Sequence, residues 1–574
     1  MKHKLSPLVA GMAFILALAG PATHAAPDDG QAVTAAAGTP LPAQDLSADV
    51  MFLILLGEIA GSRGDLTVSA EAYLHAARQT LDARIARRAT EIALVARDMD
   101  SATAAARIWL EAEPASEDAR RILASILAAR GDQLNEVQIE LARILANAEG
   151  PLLEQNLLGL NRALAPIPDK QLVRGIITRL TDPYLRLAPA HFARAQAAAA
   201  EGDNLTALAS VNDALSRRAD WEPAIVLKSQ LLVELSATQD AIELLRDYLS
   251  RHPDSRNGAI AYARTLVSAQ DFPAALAEFR RLLERFPDDV DLVYAVAVMA
   301  AQTGDFSLAR EQFNRALELG HPERDGVLIN LASVAERQQR PDDALELYRR
   351  IEAGPHYADA QIRIAQLMAS KGDLDGARNH LHEVEVDPDE RRRLVFAELM
   401  LLRDAGRERE ALQIVEEALD DAPDDTELLY EAGMLSERVG DLQRMEDYLR
   451  ALMEIEPDHA HAHNALGYTL AERGERLEEA EALIQRALEL SPDDPFILDS
   501  MGWVRFRRDD AQSALIYLQR AFAIRSDPEI AAHLGEVLWA LERRDEARRI
   551  WNDALREHPG NILLQETRQR LSGQ

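Results

Sequence analysis

Ala531-Ala532-His533-Leu534-Gly535, then Ala547 with Trp551 and Ala554, then Pro559: this stretch sets the reading of the whole chain. The position of its Ala547 recurs at Ala207, Ala241, Ala275, Ala309, Ala344, Ala377, Ala411, Met445, Ala480 and Ala514, at intervals of 33 to 35 residues, alanine in all but one. A second small position keeps step twelve or thirteen residues earlier, at Ala195, Ser229, Ala263, Ala297, Ala332, Ala365, Leu399, Gly433, Gly467, Gly502 and Gly535. Prolines close units at Pro253, Pro287, Pro423, Pro457, Pro492 and Pro559. Apolar residues fall at helical spacing around both small positions, as in Leu498-Met501-Gly502-Arg505 and then Ala514-Leu518-Ala521. A fixed period of this length marks stacked supersecondary units. Each unit reads as helix, short turn, helix, proline, because proline cannot continue a helix. Small residues on both helices let them approach, and each hairpin has apolar faces that only its neighbours cover.

A unit of 34 residues with Leu-Gly, then Ala, a large residue, Ala and Pro resembles the tetratricopeptide repeat. His463, Leu466-Gly467, Ala480, Ala487 and Pro492 repeat the pattern with one residue inserted in the turn. The resemblance implies an all-α fold, a right-handed solenoid of antiparallel helix hairpins. Leu399 and Met445 depart from the small-residue rule, each opposite a small partner in its own unit (Ala411 and Gly433).

The N-terminal part is less regular but in phase, with Leu53, Leu56-Gly57, Tyr73 and Ala76 in one unit and Ala89, Ile92-Ala93, Ala105, Trp109 and Ala112 in the next. The expected organisation is degenerate hairpins over 47–187, a regular array of about eleven repeats over 188–560, and a capping helix over 561–574. Residues 50 to 560 hold about fifteen periods in all. Before them, Lys2 and Lys4, an apolar stretch from Leu8 to Ala19, and Thr23-His24-Ala25-Ala26 read as a cleavable signal peptide over 1–25. That stretch is shorter than the roughly 20 residues that span a bilayer. Residues 26–46, rich in Ala, Pro, Gly and Asp, read as a flexible leader. The expected location is therefore the periplasm, with no transmembrane helix in the mature chain.

Composition narrows the function. The 574 residues carry 63 Lys+Arg against 95 Asp+Glu, a net charge of −32. Nucleic acid needs a basic footprint and is excluded as an expected partner. The absence of cysteine excludes disulfides, thiolate metal sites, a cysteine nucleophile and a lipid anchor on an N-terminal cysteine. Phosphate-binding, zinc-protease and serine-hydrolase spacings are missing, and the expectation is a chain that is not an enzyme, with no catalytic residue, metal or cofactor. His459-Ala460-His461-Ala462-His463 is the sharpest metal candidate, but His459 falls in a turn and His463 at a packing position. His380 and His382 read as surface residues. Gly372-Asp373-Leu374-Asp375-Gly376 reads as an inter-helix turn rather than a calcium loop.

In tetratricopeptide families the first helix of each unit lines a concave wall. Carried over by position, that wall presents Phe396, Met400, Tyr430, Met434, Asn464, Tyr468, Trp503, Phe506 and Trp539, edged by Arg403, Glu437, Arg438, Glu472 and Arg507. An apolar, aromatic and Met-bearing stripe suits a bound polypeptide; the same aromatics also suit packing against the next hairpin. Met51-Phe52-Leu53-Ile54-Leu55-Leu56 is apolar all round on the first helix, which no earlier repeat covers. Met51, Phe52, Ile54 and Leu55 are thus candidates for docking a partner.

The stretch Leu55-Leu56-Gly57-Glu58-Ile59-Ala60, then Arg63-Gly64-Asp65-Leu66, Tyr73-Leu74, Ala76-Ala77-Arg78 and Arg87-Arg88-Ala89-Thr90-Glu91-Ile92-Ala93 resembles the proteobacterial tetratricopeptide adaptors of a periplasmic carboxyl-terminal processing protease. That resemblance implies a scaffold that binds the protease at one place and cell-wall hydrolases at another. The other reading is a structural component of an envelope assembly such as polysaccharide export.

Overall fold

The computed structural model describes residues 47–131 and 134–573. The signal peptide and leader expected over 1–46 lie outside the described residues. Within them the fold is all-α: thirty-one helices in sequence, with one short 3-10 turn at Asp182–Tyr184 and no strand among the described residues. The chain divides into two compact units, one ending at Arg340 and one beginning at Pro341.

The first unit opens with the hairpin Ala48–Ser62 and Leu66–Thr80 and closes with the helix Arg324–Arg337. Its helix Val290–Thr303 is buried continuously from Leu292 to Ala301. The second unit begins with the short helix Pro341–Tyr348, continues through six hairpins from Tyr357 to Glu557, and ends with Ile562–Ser572. That last helix packs on Pro528–Ala540 and Arg544–Glu557, buries Leu564 and Thr567, and donates both Arg570 η nitrogens to Glu536. It covers the face that the last hairpin would leave bare.

Turn chemistry explains the helix boundaries. Gly440 ends its helix at φ +83°, a left-handed conformation that suits glycine, and Asp441 then accepts from Arg444 N to cap the next helix. Asp373 does the same for Gly376 N, so the Gly372–Gly376 segment is the expected turn. The residue inserted after Gly467's helix puts two left-handed residues in one turn, Gly474 and Arg476.

The small positions bring the two helices together as expected, and each glycine also receives a large side chain that the sequence reading did not name. A Cβ on Gly467 would lie 2.6 Å from Ile484 and 2.9 Å from the Ala480 carbonyl, and one on Gly502 would lie 2.5 Å from Leu518. Gly433 meets Leu449, Gly535 meets Trp551 and Gly57 meets Tyr73 in the same way. The glycine thus receives the large side chain one turn beyond the partner's small residue. That partner residue brings its own backbone close, and the next turn supplies the bulk. Trp551, Leu449, Ile484 and Leu518 are all fully buried.

Candidate functional site

Residues one step round the first helix from the glycine position line a groove in the second unit. Between the helices Tyr357–Ser370, Pro388–Asp404 and Thr426–Arg438 lies an open depression of about 430 Å³. Ile362, Phe396 and Met400 form its apolar strip, and Asp389, Arg392, Arg393 and Glu427 its banks. Phe396 is half-buried beneath the Arg392 guanidinium, 5.7 Å from its ring centre. Met400 is 50% exposed. Arg392 reaches Asp425 at 2.9 Å and also pairs with Glu427, while Arg393 pairs with Asp359. These ion pairs clip adjacent repeats together along the groove's edges. Each contributes little stability at such exposure, but together they tie the arginines to carboxylates along the banks, with Arg392 also covering one edge of the strip at Phe396.

One repeat on, Tyr430 and Met434 are half-buried, with Tyr430 5.3 Å from the His459 ring. Burial, then the carboxylates of Glu431 and Glu437, raise its phenol pKa. His459 itself caps its helix by accepting from Ala462 N at 3.0 Å, and His463 Nε2 lies 2.9 Å from the Pro457 carbonyl. Asn464 is half-buried, and its Oδ1 is buried with no donor.

Further on, the wall is occupied by its own side chains. Tyr468 donates to Glu529 at 2.7 Å, across two repeats. Trp503 is only 6% exposed and donates its indole N–H to Glu472 at 2.6 Å. His533 stacks on that indole with ring centres 4.2 Å apart and planes 21° apart. Its Nδ1 lies 2.9 Å from Asp499 Oδ2, and both residues are buried. Phe506 packs at 5.6 Å on Trp503, and Arg507 lies over the indole and donates to the Glu472 carbonyl. Burial opposes a charge on His533, but Asp499, with Glu529 and Glu472 behind it, outweighs that and raises the imidazole pKa. Burial and then Glu529 raise the Tyr468 phenol. Buried polar groups of this kind are favourable only when satisfied, and here each has a partner.

Trp539 stands apart from this set. It lies at the turn end of its helix, 5.8 Å from Trp551 and under Arg544 and Arg548 of the second helix of its own hairpin. Asp499, Glu529 and His533 were not singled out by the sequence reading. The signal was present for two of them: Asp499 and His533 are 34 residues apart, so they occupy neighbouring repeats almost in register. His382, read from sequence as a surface residue, is exposed but bonds the buried Glu398 at 2.7 Å, and Glu398 also takes Arg378 at 2.8 Å. His380 is partly buried and its pKa is lowered, first by that burial and then by Arg349.

In the first unit, the opening helix turns one apolar face outward. Met51, Phe52, Leu55 and Ile59 are 48%, 64%, 54% and 50% exposed. Ile54 is half-buried, and only Val50, Gly57 and Ala60 are fully covered. No group of three or more metal-ligating side chains occurs among the described residues, and none of the helices described is long and apolar enough to cross a membrane. Chemically, the second unit offers an apolar strip between charged banks, and the first an exposed apolar helix face.

Comparison with known proteins places this arrangement. Tetratricopeptide repeat profiles match residues 260–323, 300–358 and 443–495, and a second such profile matches 335–392. These profiles describe repeats of a scaffold kind compatible with protein binding, not a catalytic domain. Among solved structures, a tetratricopeptide protein of Thermus thermophilus is 24% identical over 30% of this chain and 94% of its own, with a TM-score of 0.28. MamA from Desulfovibrio magneticus is 18% identical over 30% and 96%, with a TM-score of 0.26. A serine/threonine-protein kinase of Myxococcus xanthus is 35% identical over 92 residues, 16% of this chain and 15% of the kinase. The TPR repeat-containing protein PA4667 of Pseudomonas aeruginosa is 39% identical over 495 residues, 85% of this chain and 82% of that protein. With that identity over most of both lengths, the chain belongs to the tetratricopeptide repeat-containing proteins.

Proposed function

We propose that this protein is an exported, non-enzymatic adaptor that brings cell-wall hydrolases to a periplasmic carboxyl-terminal processing protease. The observation that carries the reading is the open strip of Ile362, Phe396 and Met400 between ion-paired banks, a surface for an apolar side chain of a bound polypeptide. The exposed face of Met51, Phe52, Leu55 and Ile59 supplies a second, separate surface, as an adaptor with two clients requires. The likeness of residues 55–93 to the protease adaptors is what supports this choice of clients. The mechanism is effective concentration: two proteins held on one scaffold meet as neighbours, which raises their encounter rate by orders of magnitude without new contacts between them.

The test is a degradation assay with purified protease, a cell-wall hydrolase of the same cell, and this chain. Hydrolase loss accelerates when the chain is added. Phe396→Ala with Met400→Ala, or Phe52→Glu with Leu55→Glu, removes the acceleration while leaving helicity intact. Hydrolase loss that is the same with and without the chain contradicts the proposal.

A further inference from the structure

Glycines in the first helices are filled by their partners, as at Gly57, Gly433, Gly467, Gly502 and Gly535. Gly159 is not. It lies in the helix Gly150–Ala163, and a Cβ built on it meets no atom within 4 Å. The space beside it is a cavity of about 270 Å³ between that helix and the hairpin Glu117–Arg130 with Leu134–Asn147. This is close to the lower end of ligand-pocket sizes, roughly 300 Å³, and suits a group the size of one amino-acid residue.

The lining has two chemistries. Leu141, Ile144 and Leu160 make an apolar side. Arg121, Asn156 and Arg162 make a polar side, and no carboxylate lines the cavity. Arg121 donates Nη2 to Asn156 Oδ1 at 3.0 Å, which fixes which way the amide points. The Asn156 Nδ2 is then left buried with no acceptor, an unmet donor of the kind that costs about 1–3 kcal/mol. Glu117 reaches Arg121 at 3.3 Å from the same helix, and Arg162 has no ion pair among the described residues. In a chain of net charge −32, two guanidinia and an unmet amide donor beside leucines and an isoleucine define a specific demand: an anion on an apolar body.

We propose that this cavity binds the carboxylate of an apolar residue, with Arg121, Arg162 and the Asn156 amide holding the carboxylate and Leu141, Ile144 and Leu160 holding the body. The ligand is either a small apolar acid or the carboxyl end of a polypeptide. The inference stands on the first unit alone and does not depend on the adaptor reading.

Titration calorimetry on the full chain tests it, with N-acetyl-leucine, N-acetyl-leucinamide and a ten-residue peptide ending in leucine as probes. N-acetyl-leucine binds, and the amide binds at least about tenfold more weakly, since a lost charge-assisted contact is worth that much or more. Gly159→Leu, which grows into open space, abolishes binding while thermal stability is kept or raised. Arg162→Gln, at an exposed position, weakens binding about tenfold and provides the same answer should the leucine variant fail to fold. A peptide that binds tenfold tighter than N-acetyl-leucine identifies a chain end; equal affinity identifies a small acid. No binding of any probe, equal binding of acid and amide, or full binding by folded Gly159→Leu overturns the proposal.

Discussion

Phe396 and Met400 hold the two positions of their repeat that Asp499 and Trp503 hold three repeats later, and the two pairs have opposite fates. At the first, an apolar strip lies open, with its neighbouring arginines tied to carboxylates on either bank. At the second, Trp503 is hydrogen-bonded to Glu472, stacked by His533 and shut away, with Asp499 buried behind it. The same helix position therefore binds outward in one stretch and inward in the other. What decides is the neighbours: His533 and Glu472 reach Trp503 from the repeats on either side, whereas Phe396, packed on the core by one side, carries over its ring only the Arg392 guanidinium of its own helix among the cation contacts described. One stretch is a surface and the other is a brace.

The widest separation of the two is in stability. His533→Leu leaves the Asp499 carboxylate buried without its partner, and breaking a buried pair from one side costs about 3–5 kcal/mol. Met400→Ala, on a half-exposed side chain, stays within about 0.5 kcal/mol. Hydrogen exchange over residues 495–507 and 388–404 reads both: protection collapses in the first segment for His533→Leu and is unchanged in the second for Met400→Ala. Equal losses would erase the distinction between surface and brace.

A pH titration probes the brace further. The folded pKa of His533 lies above its ordinary value of about 6.5. The stabilisation that this proton brings is fully present below pH 6.5 and is lost as the pH rises through the folded pKa. The slope is at most about 1.4 kcal/mol per pH unit for one proton. The urea midpoint of the second unit's C-terminal repeats falls as the pH is raised above neutrality, and His533→Gln flattens that fall.

How much of this was legible beforehand depends on the range over which residues act. The period, the glycine positions, the Gly-Asp turns and the terminal helix are local or strictly periodic, and could be read from Gly467, Asp373 or Pro559 alone. Which groove side chains stay free was not legible. Tyr468 finds Glu529 sixty-one residues away, and no periodic pattern in the sequence announces that pair. The close approach at the small positions was legible, but the large side chain that also fills each glycine was not, for a similar reason. The Ala480 backbone lies against Gly467 as the small residues require, but the Ile484 side chain, one turn on, also fills the glycine, a consequence of how the helices cross rather than of spacing along one of them. Trp539 was assigned to the groove by its repeat position, yet its place at the turn end of its helix delivers it to Arg544 and Trp551.

The smallest effect sharpens the contrast most finely. Glu472→Gln keeps an acceptor for the Trp503 indole but removes one of the charges behind His533. The expected loss is within about 1 kcal/mol, with the pH dependence of the C-terminal repeats moved to lower pH. A change as large as that of His533→Leu would mean that the Glu472 charge, not the hydrogen bond, holds the brace.

The central claim is that the open strip, not the braced one, meets the partner. The most direct measurement is the rate of hydrolase degradation by the protease with three scaffolds side by side: the natural chain, Phe396→Ala with Met400→Ala, and Trp503→Phe, all shown to be equally helical. Phe396→Ala with Met400→Ala lowers the stimulated rate about tenfold or more, as loss of a central aromatic anchor does, while Trp503→Phe stays near the natural chain. A stimulated rate that survives loss of Phe396 and Met400 but falls with Trp503→Phe would contradict the account.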